Sequence, residues 1–71
     1  MTARCLGTVV AFDAAVGLGE IRRDDGALFP FHCIEIADGT RDIAVGQRVE
    51  FTLLCKLGGY EAAGLRPIGR A

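Results

Sequence analysis

One histidine, three cysteines and seven arginines are the side chains in this 71-residue chain with most chemistry to offer. Cys5, Cys33 and Cys55 stand far apart and form no C-x-x-C pair. Zinc sites draw on closely spaced ligands, so no metal site is expected. An odd thiol count in a chain with no secretion signal reads as free, reduced cysteines. Catalysis finds little support. The chain has no serine, and His32 has no acid–base partner in any recognisable frame. Gly17-x-Gly19 lacks the third glycine and the following helix of a dinucleotide loop. The chain is therefore read as a non-enzyme with no cofactor.

Binding remains. Phe12, His32 and Tyr60 offer rings, and Arg22-Arg23 offers charge. Eight basic against nine acidic residues give a net charge of -1. That is a poor match to a polyanion, whose binding draws on Lys and Arg. A local patch can still outweigh the net count. Each feature also has a plainer reading. The glycines suit a tight bend, His32 a hydrogen-bonded cap, the arginines a solvated strand end, and Tyr60 the lid of a barrel end.

The elements that must position these groups are short. A chain of this length is one domain with a modest core. It contains no apolar run long enough to span a membrane and no leader, so a cytoplasmic location is expected. Apolar residues fall in short runs between turn signals, not at helical spacing. Strands are predicted near 4–13, 18–23, 27–33, 47–55 and 59–67. Asp24-Asp25-Gly26 is a strong hairpin signal. Gly58-Gly59 turns the last pair, Ile34-Glu35-Ile36 suits one helical turn, and 37–42 reads as a polar loop. Val49, Phe51, Leu53 and Cys55 alternate with polar neighbours in the clearest period-two run. The expected inward set is Val9, Ile21, Phe29, Phe31, Ile36, Ile43, Val49, Phe51, Leu53 and Leu65, with Cys5 and Cys55 on the same phase. Five antiparallel strands need closure to hide their edges. An all-β, five-stranded Greek-key barrel of the OB type provides it.

Several ordered segments carry a resemblance. The opening strand holds Gly7, Val9, Ala11, Phe12 and Asp13. Val16-Gly17-Leu18-Gly19-Glu20-Ile21 follows, and then Phe29-Pro30-Phe31-His32-Cys33. Val45-Gly46-Gln47-Arg48-Val49-Glu50-Phe51 comes next, and Gly59-Tyr60-Glu61-Ala62-Ala63-Gly64-Leu65 closes the chain. Together these resemble a cold-shock domain over roughly residues 4 to 67. The resemblance implies the OB barrel and a face on the second and third strands where rings stack on successive bases.

At the positions where that family carries rings, this chain has Ala11, Leu18, Glu20, Pro30 and Cys33. Val16 replaces a lysine, while Phe12 and His32 remain. The implied nucleic-acid site is Phe12, Leu18, Glu20, Arg22, Pro30, His32, Cys33 and Tyr60, with Arg23 and Arg41 as further cationic candidates. Stacking contributes about 1–3 kcal/mol per base. The expectation is therefore weak or altered binding of single-stranded RNA or DNA. A second class stays open, a self-associating or protein-binding module drawing on Val10, Ala11, Val16, Leu18 and Leu54, since a contiguous apolar patch marks a contact surface. On the resemblance, Cys33 lies on the binding face and should be the most reactive thiol.

Overall fold

The computed structural model describes residues 4–37 and 42–69. Strands β1 (Cys5–Asp13), β2 (Leu18–Arg23), β3 (Leu28–His32), β4 (Arg48–Lys56) and β5 (Gly59–Pro67) form one antiparallel sheet in the order β3-β2-β1-β4-β5. Cys33–Glu35 forms a single 3-10 turn after β3. The expected strands and the helical turn are all present, with ends shifted by a residue or so. The sheet curls until β3 meets β5. Ile36 then bridges to Leu65 in parallel, and the Ala37 amide donates to the Leu65 carbonyl at 2.7 Å. This is the five-stranded antiparallel barrel of the OB type that the sequence predicts.

Two irregularities let the sheet curl. Val10 is an extra residue in β1, between the pairs Val9–Ile21 and Ala11–Glu20. In β5 the extra residue lies opposite Phe51, where Gly64 takes φ +59°. Bulges of this kind sharpen strand twist. The β2–β3 turn also forms as its residues predict. Asp25 Oδ1 accepts from the Ala27 amide at 3.1 Å, and the Arg23 amide donates to the Ala27 carbonyl at 2.7 Å.

The core is Val9, Ile21, Phe31, Ile36, Val49, Phe51, Ala62 and Leu65, all buried. Phe29, Ile43 and Leu53 of the expected inward set are half-buried and pack against it. Ala62 of β5 joins the core beyond the expected inward set. Cys55 departs from expectation, because it is exposed. Its phase continues that of Phe51, but at residues 52–56 β4 pairs with β5 in a hairpin ending at Lys56–Gly59, and no buried residue of β4 lies beyond Phe51. Arg41 lies outside the described residues.

Candidate nucleic-acid interface

The register of β2 against β3 builds one outward face. Leu18 pairs with His32, Glu20 with Pro30, and Arg22 with Leu28. The alternate positions Phe29 and Phe31 turn inward, as side chains alternate across a strand. On the other side β1 adds Asp13 beside Leu18, Ala11 beside Glu20 and Thr8 beside Arg22. Leu18, Arg22, Leu28, Pro30 and His32 are exposed, and Glu20 is half-buried. Five of the sequence-expected site residues, Leu18, Glu20, Arg22, Pro30 and His32, thus share a face.

Phe12 does not join them. It pairs with Gly19, is half-buried, and lies on the inward side against Phe31. The two rings stack with centroids 5.8 Å apart and planes 2° from parallel. Gly19 lies between them in register, and a Cβ there would fall 2.5 Å from the Phe31 ring. This close approach accounts for the glycine. Cys33 lies next to His32, its Sγ 3.9 Å from His32 Nδ1. It begins the 3-10 turn and packs half-buried against the core. Gly17, at φ +77°, lies so close that its Cβ would come within 2.8 Å of Cys33 Sγ. Cys55 is exposed, whereas Cys33 is half-buried.

His32 caps the turn that follows it. Its Nδ1 accepts from the Ile34 amide at 3.4 Å. That bond assigns the proton of the neutral ring to Nε2, which remains a donor for a ligand.

Most of the positive charge is already committed. Arg23 forks onto Asp25 through Nε at 3.0 Å and Nη2 at 2.8 Å, with its guanidinium 5.0 Å from the Phe29 ring centre. Arg48 holds Asp24 at 2.6 Å and 2.9 Å and Thr8 at 3.1 Å. The Arg23 hydrogen bonds, with help from the Ala27 amide, hold the Asp25 carboxyl down to about 2. The Arg48 hydrogen bonds lower Asp24 in the same way. Arg4 and Arg66 flank Glu50 at 3.7 Å and 3.9 Å. Among the described residues, Arg22 and Lys56 are the basic side chains outside any ion pair. Arg23, a phosphate candidate from the sequence, is taken up by a carboxylate two residues away, whereas the Arg48–Asp24 and Glu50 pairings join residues far apart in the chain.

Pro30 connects the face to a second feature. With Lys56, Leu57, Gly58, Gly59, Tyr60 and Glu61 it lines an open hollow of about 200 Å³ beside the β4–β5 hairpin. Tyr60 is exposed on this hairpin, so it does not seal a barrel end. The apolar residues considered as a contact patch separate. Val16 and Leu18 are 60% and 50% exposed, the latter opposite His32 at one end of the β2–β3 ladder, while Leu28 lies opposite Arg22 at the other end. Leu54 sits on the hairpin opposite Glu61, and Val10 is half-buried at the β1 bulge.

No helix among the described residues is long and apolar enough to cross a membrane. No group of metal-ligating side chains occurs among them.

Comparison with known proteins agrees with this architecture. The family model described as the 'Cold-shock' DNA-binding domain matches residues 5–68. No curated protein matches. Among solved structures, the Drosophila Unr segment CSD456 is similar at a TM-score of 0.81 and 26% identity. That match covers 94% of this chain and 27% of the Unr chain. Cold-shock domains are generally nucleic-acid-binding modules, and this chain belongs to the cold-shock domain family.

Proposed function

We propose that this domain binds single-stranded RNA or DNA weakly across the outward face of β2 and β3, without enzymatic activity. The observation that carries the reading is the β2–β3 register, which gathers Leu18, Glu20, Arg22, Pro30 and His32 on one accessible surface. His32 supplies a ring and a donor. Arg22 is the phosphate partner on the face, and Lys56 a second one across Pro30. With two such contacts the salt dependence should be shallow, a slope of about -0.7 per phosphate for a single strand. The affinity should fall well below that of an aromatic-rich relative, because each missing ring removes a stacking term.

The test is a titration of labelled dT7 at low and moderate salt. Leu18→Phe with Glu20→Phe adds two stacking surfaces and removes a negative charge near the strand. The double variant should bind dT7 at least tenfold tighter than wild type, given about 1–3 kcal/mol per stacked base. A folded double variant that binds no better rules out this face as the site.

The exposure of Val16, Leu18 and Leu28 favours one other reading, self-association or a protein partner on the same face. If wild type binds no strand at low salt but associates in sedimentation, and Leu18→Asp abolishes that association, the interaction-module reading takes its place.

A further inference from the structure

Glu20 occupies the middle row of the outward face, between Ala11 of β1 and Pro30 of β3. Neither neighbour offers a hydrogen-bond donor from its side chain. The residue is half-buried. Among the described residues no hydrogen bond or ion pair holds its carboxylate, although Asp24, Asp25 and Glu50 are each paired with arginine and Glu35 accepts from the Gly64 amide. Arg22, next on the same side of β2, makes no ion pair with it. The centre of the face is thus an acceptor-only group between apolar cross-strand neighbours, open to a charge-assisted hydrogen bond from a ligand.

We propose that Glu20 selects the base: its carboxylate accepts the paired N–H donors of a guanine, so that the domain prefers guanine to thymine or uracil at this position. The proposal deepens the nucleic-acid reading and rests on it. On its Watson–Crick edge guanine presents N1–H and an N2 amino hydrogen side by side, two parallel donors for two carboxylate oxygens. Single-stranded bases are read on this edge. Thymine and uracil present one N–H between two carbonyls, which oppose the carboxylate. Cytosine and adenine each present an amino group beside an acceptor nitrogen. Ala11 is small enough to leave the carboxylate accessible, and the exposed Pro30 ring gives the base an apolar surface to lie on. A strand lying base-inward keeps its phosphates away from Glu20, whereas a backbone-first approach meets repulsion.

The experiment is fluorescence anisotropy with the 71-residue chain at low salt, using labelled dT3-dG-dT3, dT3-dC-dT3, dT3-dA-dT3 and dT7. Wild type should bind the guanine strand about tenfold or more tighter than dT7, the scale of one good bidentate base contact. Glu20→Ala should abolish the difference. Glu20→Gln, of the same size, should move the preference from guanine toward adenine, whose paired donor and acceptor suit an amide. Circular dichroism melts establish that both variants fold. Equal binding of the four strands by wild type, or a guanine preference that survives in folded Glu20→Ala, overturns this proposal while leaving the binding reading intact. No binding of any strand overturns both.

Discussion

Phe12 lies parallel on Phe31, with ring centroids 5.8 Å apart, across a strand position where Gly19 has no side chain. The stack joins β1 to β3 over β2 and draws one of the chain's four phenylalanines away from the outward face. Gly19→Ala should therefore destabilise the domain, because its methyl would fall 2.5 Å from two Phe31 ring carbons and 2.7 Å from the Ala11 carbonyl oxygen. Overpacking of this kind costs about 1–3 kcal/mol. Thermal melts should show Tm falling by several degrees. An unchanged Tm would mean that the Phe31 ring has another place to go.

Phe51 is fully buried and meets Phe29 at 6.4 Å, tilted by 55°. Phe51→Ala should cost about 3–5 kcal/mol. Natural domains are stable by only about 5–15 kcal/mol, and one this small belongs at the low end, so the variant should be largely unfolded. A melt within a few degrees of wild type would remove Phe51 from the core.

The three thiols should label in an order set by exposure. Cys55 is exposed on the hairpin, while Cys5 and Cys33 are half-buried and pack against the core. A thiol reagent under native conditions should modify Cys55 first, and Cys55→Ser should remove the fast phase. A fast phase that persists in Cys55→Ser would point instead to opening around Cys33 or Cys5.

Acid should weaken the β2–β3 turn. The Asp25 carboxyl is held down to about 2 by Arg23 and the Ala27 amide, and Asp24 is lowered by Arg48. A carboxyl depressed in the folded state contributes stability above its unfolded pKa and loses it as pH falls through the folded value. Tm should therefore decline from about pH 4 toward pH 2 as Asp25 takes up its proton, with Asp24 adding to the loss below its ordinary carboxylate range. Both pairs are solvent-accessible, so the effect should be modest and should shrink in high salt. Asp24→Asn with Asp25→Asn should flatten that part of the profile. A profile identical to wild type would assign acid sensitivity to other carboxyls.

Much of the architecture is written locally. Asp24-Asp25-Gly26 makes a turn because aspartate caps its own backbone and glycine takes φ +98° there. The alternation through Val49 and Phe51 made their burial legible, because side chains on a strand have a period of two. The same period brings Leu18, Glu20 and Arg22 to one side of β2. Where period and barrel part company, only the tertiary structure decides. Counted from Val9, Ala11 would face inward and Phe12 outward, but the extra residue at Val10 inverts the phase, so that Ala11 is exposed and Phe12 reaches Phe31. Cys55 keeps the inward phase of Phe51 but lies on the β4–β5 hairpin past the buried core. The commitment of Arg48 to Asp24, and of Arg4 and Arg66 to Glu50, joins residues that no short sequence window contains. The strand pattern can therefore be read residue by residue. The usable charge and the true face of each ring depend on bulges and cross-strand partners that exist only once the sheet has closed.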